Sequence, residues 1–460
     1  MSESGLTHPA EVAERVLRAA GRPCVAIVED THEADVRFAN NTVTTDGVRT
    51  DRRVTAILAE PSEGPGQPGR AGVARRSGEV DVDGLASEAA AALGPADDAA
   101  PLLVGGEQAD FGEDAAVTGL DRLAAVVSGL AAAFARAEGS GTVLSGFAEH
   151  RVTTTYLASS TGLRRRHVQP TGALQLVGRK DGGSAWAGVG SADFLDVELE
   201  SLEESVRRGL GWSARHIDVP PGRHEVLLPP SAVADLMMFL VDAASGRESE
   251  EGRTVFSKAG GGTRLGDTLT PLAFDLWSDP AAPGLECTPF LATSASSADV
   301  SIFDNGLELT RTDWVRAGRL ERLRYHRAGA ERSHVTPAAP IDNLSLTLPG
   351  ATGTLEDLIA TTDHGLLLTC LWYIREVDPK TLLLTGLTRD GVYVVEDGKV
   401  AGVTGNFRFN ESPVDVLART THVTASARTY GREGGMWINR TSMPALRVPD
   451  WNMSTSSQAV

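Results

Sequence analysis

Residues Thr142–Leu157 and Leu163–Val177 read as two long strands joined by the turn Ser159-Ser160-Thr161-Gly162. A turn that short joins strands antiparallel, so the chain must build antiparallel sheet. A second turn is expected at Asp181-Gly182-Gly183. Further on, Val392–Glu396 and Lys399–Val403 flank Asp397-Gly398, a dipeptide suited to a two-residue type I′ hairpin. Shorter strands are expected at Cys24–Glu29, Asp35–Ala39 and Val54–Leu58.

Helices fall between these runs. Thr7 caps the first, with Pro9 in its opening turn, Val12, Val16 and Leu17 on one face, and Gly21 as its stop. Gly84–Leu93 is Ala-rich and helical. Leu120, Leu123, Val127, Leu130 and Phe134 recur at spacings of 3 and 4, the pattern of a helix packed on a sheet. Leu199, Leu202, Val206 and Leu210 mark a helix ending at Trp212. Ser231–Ala244, capped by Ser231, Leu355–Thr361, capped by Thr354, and a helix opening at Ser412-Pro413 complete the set. Glu60–Gly69 is a Pro/Gly-rich loop, and Asp97–Asp114 is acidic and loop-like.

A Pro-rich connector, Val219-Pro220-Pro221-Gly222 followed by Pro229-Pro230, places the main boundary near residue 217. The expected organisation is α+β. An N-terminal α/β region spans 1–216, divisible into about 1–115 and 116–216, and a domain dominated by antiparallel β-sheet spans 217–460.

Composition removes several functions. With 43 Lys and Arg against 61 Asp and Glu, the 460-residue chain carries a net charge of −18, which argues against a nucleic-acid binder held by phosphate contacts. No apolar run reaches the roughly 18–20 residues that span a bilayer. The opening Met1-Ser2-Glu3-Ser4 lacks the features of a secretory signal. Cys24, Cys287 and Cys370 are far apart, so neither a disulfide framework nor a Cys-rich zinc site is expected, and a reducing cytoplasm fits.

Chemistry-bearing patterns are sparse. Among ten histidines no two are three, four or five residues apart, so no helical zinc motif exists. His216/His224 and His326/His334 are each eight apart, too far for one ion along an extended chain. No G-x-S-x-G elbow occurs, and Cys370 sits in the apolar stretch Leu366–Trp372, where a buried inert thiol is expected. Gly260–Gly266 is Gly-rich but matches no phosphate-loop pattern. Arg164-Arg165-Arg166-His167 alternates faces on a strand, so a solvated strand or an intersubunit ion-pair site is expected. Glu248, Glu250 and Glu251 read as a solvated acidic connection.

The order of several phrases is more specific than any of them alone. Arg37-Phe38-Ala39-Asn40-Asn41, Tyr156–Gly162, Phe303-Asp304-Asn305-Gly306, Thr354–Ile359 and Val395–Val400 followed by Gly405-Asn406-Phe407 occur in sequence along the chain. This series resembles the TldD/PmbA (TldD/TldE) family over nearly the whole length. The resemblance implies an N-terminal α/β region and a C-terminal domain on a large curved antiparallel sheet. It also implies a cytoplasmic heterodimer of a TldD-like and a TldE/PmbA-like chain, enclosing a peptidase chamber that trims small unfolded peptides.

In TldD-type chains, the resemblance implies, a His-Glu-x-x-x-His helix and a later Cys hold zinc. The matching helix here, Ser231–Gly246, has no His and no Glu; its acidic residues are Asp235 and Asp242. The later Gly-Cys-Gly region falls near Tyr430–Gly435, which has no Cys. Zinc hydrolysis needs three protein ligands and an open position. The expectation is therefore a TldE/PmbA-like partner with no catalytic and no metal residue of its own. Zinc belongs to its TldD-like partner, and substrate-binding residues are not identified. Two alternatives stay open. One is a self-sufficient peptidase or other hydrolase drawing on Asp235, Asp242, His326 and His334. The other is a binding modulator, without proteolysis, of gyrase or a peptide toxin.

Overall fold

The computed structural model describes residues 7–61 and 69–457; most of the Pro/Gly-rich loop expected over 60–69 lies outside them. Strands β1 (Cys24–Ala39), β2 (Thr42–Glu60), β3 (Gly69–Ser77), β4 (Gly94–Ala96), β5 (Val143–Ser159), β6 (Arg164–Lys180) and β7 (Gly183–Ser191) form one antiparallel sheet in the order β4-β3-β2-β1-β5-β6-β7. The strand pair at 142–177 is β5 and β6, and the turn that follows leads to the edge strand β7, as the sequence implies.

The two short strands expected at 24–29 and 35–39 are one continuous strand, and β2 begins twelve residues before Val54. The polar residues that hid this are paired across the ladder. Glu33 accepts from Arg49 at 2.9 Å and from the Arg151 Nε at 2.9 Å, and Arg52 grips Asp30 at 2.5 Å through two nitrogens. Charge complementarity between neighbouring strands substitutes for apolar alternation. Asn40 and Asn41, at φ 52° and 57°, make the β1–β2 turn. The Asn41 side chain then accepts from Leu144 N and donates to Thr142 O, tying the turn to the start of β5.

One face of this sheet carries the helices. α1 (Pro9–Ala20) and α2 (Val82–Ala91) pack on Ala26, Val28, Ala56 and Tyr156; α3 (Ala124–Ser140) and α4 (Leu199–Trp212) pack on Val36, Phe38, Leu174 and Leu176. The cap of α1 is His8, whose Nδ1 accepts from Ala10 N, rather than Thr7. Leu120–Leu123 forms a 3₁₀ turn before α3, which rotates the stripe so that Val126 is buried and Val127 is 41% exposed.

On the opposite face, Val25, Ile27 and Leu157 pack against Phe290, Ile302 and Phe303 of the second half. Beyond Ile27 this face turns polar, with Glu29, Thr31 and Glu33 beside Arg49, Arg53, Arg151 and Thr153.

The second half holds two sheets. One has nine strands, eight in the path Leu371–Asp378, Leu383–Thr388, Asn406–Glu411, Leu446–Ser457, β8 (Gly222–Leu228), His364–Leu368, Val392–Glu396 and Lys399–Thr404, with His422–Val423 paired to Leu446–Ser457. The other has six, including Asp275–Ser278, Leu344–Thr347 and Thr441–Met443. Pairing is antiparallel except for β8 with His364–Leu368 and Leu344–Thr347 with Thr441–Met443. The fold is α+β, as expected, but its second half divides between two sheets.

α5 (Pro230–Asp242) lies in the core between them, packing with Phe274, Leu276, Leu346 and Leu446. Pro230 occupies its first position and Pro229 its cap, so Ser231 is inside the helix. Two short helices were not foreseen: α6 (Gly246–Glu250), where a solvated acidic connection was expected, and α7 (Arg327–Arg332). Each is capped by a side chain, Ser245 and His326, and neither is long enough to show a periodic stripe. α8 (Leu355–Ala360) has a reciprocal capping box between Thr354 and Asp357, and α9 (Pro413–Arg419) opens after Ser412. Asp397 and Gly398, at φ 49° and 75°, make the expected hairpin.

Candidate functional site

Between Ala232 and Val241, α5 is apolar except for one carboxylate, Asp235. Asp235 is 1% exposed, and a buried carboxylate is tolerated only where donors meet it. They come from the backbone 197 residues and more downstream. One Asp235 oxygen accepts from Gly434 N at 2.9 Å and Glu433 N at 3.2 Å; the other accepts from Arg432 N at 3.1 Å. A Cβ on Gly431 would collide with this carboxylate, which three amides hold in place, so that position requires glycine; one on Gly434 would displace the flexible end of the Met238 side chain. Burial pushes the Asp235 carboxyl up to about 7, the nearby Glu433 charge acting in the same direction and the three N–H donors against it.

The loop that supplies these amides, residues 430–437, is fastened on two further sides. The Glu433 carboxylate accepts from Ile374 N at 3.0 Å and from Arg375 at 3.2 Å, covering an otherwise free amide on the edge strand Leu371–Asp378. The Arg432 guanidinium lies 4.7 Å from the Trp372 ring centre and 5.4 Å from that of Trp186. It also donates to Gln175 Oε1 at 2.7 Å, the oxygen that accepts from Trp186 Nε1 at 3.1 Å. Gln175 Nε2 in turn donates to the Tyr430 hydroxyl at 3.0 Å. The loop therefore joins α5, the nine-stranded sheet and the N-terminal sheet at one junction.

The remaining candidates are not drawn to this place. Asp242, at the far end of α5, is exposed beside Arg324. The His326 Nδ1 accepts from Gly329 N as the cap of α7, and His334 is exposed in a left-handed conformation. His216 sits 3.1 Å from Asp218, and the His224 ring is bonded to Pro220 O. Cys24, Cys287 and Cys370 are buried; burial pushes the first two thiols up to about 12 and the third well above its ordinary value. Arg164 and Arg166 make ion pairs within the chain, to Glu14 and Asp110. Their guanidinium groups are taken up by pairs within the chain rather than forming a basic patch. Among the described residues no group of three or more His, Cys, Asp or Glu is placed to hold a metal ion.

The C-terminal half decides the family. Residues 221–455, just over half of the chain, match the family model for the PmbA/TldA metallopeptidase C-terminal domain. The chain belongs to the PmbA/TldA family. Solved structures extend the likeness to the whole fold. TldE from Thermococcus kodakarensis matches with a TM-score of 0.76 at 16% identity, over 96% of this chain and 99% of that one. A putative modulator of a DNA gyrase from Thermotoga maritima gives 0.74 at 16% identity, over 96% and 99%. A putative modulator of DNA gyrase from Bacteroides thetaiotaomicron gives 0.73 at 12% identity, over 96% and 98%. No curated protein matches.

Within this PmbA/TldA fold, the resemblance drawn from the sequence places zinc between the α5 helix and the 430–435 loop. The residues present do not fit that metal. α5 offers no imidazole, the loop offers no thiolate, and both Asp235 oxygens face backbone N–H donors, which repel a cation as they attract a carboxylate. The helix and loop are held together by hydrogen bonds instead. The sequence reading located both segments but not their contact. The signal was present: one acidic residue inside the run Ala232-Val233-Ala234-Asp235-Leu236-Met237-Met238 must find donors somewhere.

The raised Asp235 carboxyl sets a pH dependence. Because its pKa is higher folded than unfolded, it binds protons more readily in the native state. Its contribution is full below about pH 4 and declines as pH rises through about 7. Asp235→Asn removes this titration. The stability difference between the wild type and Asp235→Asn, from urea unfolding, is expected to shrink between pH 5 and pH 8; a constant difference contradicts the assignment.

Proposed function

We propose that this chain is a TldE/PmbA-like subunit without catalytic residues of its own. In this reading it assembles in the cytoplasm with a TldD-like chain that carries zinc. Together they degrade or trim small unfolded peptides, this chain closing the chamber and contributing to substrate binding. The observation that carries the reading is the Asp235 contact with the backbone of Arg432, Glu433 and Gly434. It spends both oxygens of the one buried carboxylate on α5 in joining the two segments that the resemblance assigns to metal binding. Zinc hydrolysis requires several protein ligands around an open coordination position, and a carboxylate whose two oxygens are both taken by backbone amides does not supply them.

Co-expression with the TldD-like chain of the same genome tests the assembly. A one-to-one complex by size-exclusion chromatography with mass detection supports it. Absence of any complex, or retention of gyrase in place of the TldD-like chain, contradicts it and favours a modulator without proteolysis.

A further inference from the structure

A cavity adjoins the 430–437 loop. It encloses about 290 Å³ between the polar face of the N-terminal sheet and residues 435–440. Phe147, Met436 and Trp437 supply its apolar wall; its charged lining is the Glu149–Arg151 ion pair together with Asp342 and Arg440. Met436 and Trp437 are 80% and 67% exposed. Two large apolar side chains held in water beside a cavity mark a surface awaiting a ligand.

The fold brings Asp342 and Arg440 together. Leu344–Thr347 and Thr441–Met443 run parallel, with Leu344 opposite Thr441, so the residues just before each strand emerge at the same end. Arg440 is anchored there: its Nη2 donates to Pro170 O at 2.6 Å and Thr171 Oγ1 at 2.5 Å. Its other nitrogens have no acceptor among the described residues. The Asp342 carboxylate makes no hydrogen bond or ion pair among the described residues, although the Arg440 charge acts on it across the cavity. An acceptor and a donor thus face one space without bridging it.

We propose that this cavity is a subsite for the main chain of an extended, unstructured peptide. This rests on the reading of the chain as a peptide-handling subunit and names where the peptide sits. In an extended strand one residue presents its N–H and C=O on the same edge. Asp342, which only accepts, takes the N–H, and Arg440, which only donates, takes the C=O. The side chain of that or the next residue lies against Trp437, Met436 and Phe147. Recognition through main-chain groups with an adaptable apolar wall suits peptides of many sequences and rejects folded proteins, whose backbone is already paired. Arg151 lines both this cavity and the groove formed by Glu29, Thr31, Glu33 and Thr153, so the path continues along the polar sheet face.

The test uses the full chain alone and a seven-residue peptide of alternating leucine and serine, acetylated and amidated at its ends, titrated by calorimetry. The expected result is binding by the wild type, weakened at least tenfold in Trp437→Ala and in Asp342→Ala. Asp342→Asn, which keeps an acceptor oxygen, retains most of the affinity. Equal binding by all variants overturns the subsite and leaves peptide handling standing. No binding by the wild type also overturns the subsite, and the co-expression result then judges the subunit reading separately. Binding only by peptides with a free amino terminus or a lysine, lost equally in Asp342→Ala and Asp342→Asn, overturns the main-chain assignment in favour of a cation pocket.

Discussion

Asp235→Leu is expected to destabilise the chain by about 3 kcal/mol, because it removes the acceptor of three backbone N–H groups at once. Leucine fits the apolar surroundings of α5, so the loss does not come from a cavity. It comes from the amides of Arg432, Glu433 and Gly434, which have no other acceptor among the described residues. The loop then has to move toward water, carrying Arg432 out from between Trp186 and Trp372 and breaking the Gln175 contact. Two measurements separate this from a general loss of packing. Urea unfolding gives the size of the effect. Limited proteolysis at low denaturant is expected to cut first within 430–437 in Asp235→Leu and not in the wild type. A variant as stable as the wild type, with the loop equally protected, removes the junction from the account.

Arg327→Leu is expected to cost about 3–5 kcal/mol, the range for stripping one partner from a buried ion pair. Asp304 is 1% exposed. Its carboxylate accepts from Arg327 N at 2.8 Å and from Arg327 Nε at 2.7 Å. The Arg327 Nη2 also donates to Phe303 O at 2.6 Å and to Pro101 O at 2.8 Å, so one side chain ties α7, the 303–306 turn and the N-terminal half. Leucine keeps the backbone donor and leaves one Asp304 oxygen buried without its charged partner. The double variant Arg327→Leu/Asp304→Asn is expected to recover part of the loss, since no buried charge remains. Equal losses in the single and double variants place the effect in packing instead.

Much of the architecture is legible in the sequence where a local device enforces it. The Thr354–Asp357 capping box, the Asp397-Gly398 turn and the 159–162 turn each need specific residues at fixed offsets, and each stands where its residues imply. The phrases that carry the family resemblance are largely such devices. Asn40 and Asn41 turn a hairpin, Asp304 holds Arg327, and the Asn305 side chain bonds Thr293 N and O. They specify the fold, which explains why the family could be read from them.

What escaped the sequence is long-range. The middle of β1 looked broken because Asp30 and Glu33 are polar, and only the partner strands show that Arg52, Arg49 and Arg151 meet them. The Asp235 junction and the Asp342–Arg440 cavity join residues about 200 and 100 positions apart, and no spacing rule connects them. Trp186, Gln175 and Trp372 gave no local signal because their role depends on Arg432, delivered from a different sheet.

The central claim is that this chain supplies architecture and substrate contacts while its partner supplies the metal. It is tested most directly by metal content and peptidase activity of the chain purified alone and as the complex with its TldD-like partner. The account predicts a metal-free, inactive chain alone, and one zinc per one-to-one complex with activity on unstructured peptides. Stoichiometric metal together with peptide cleavage by the chain alone would contradict it.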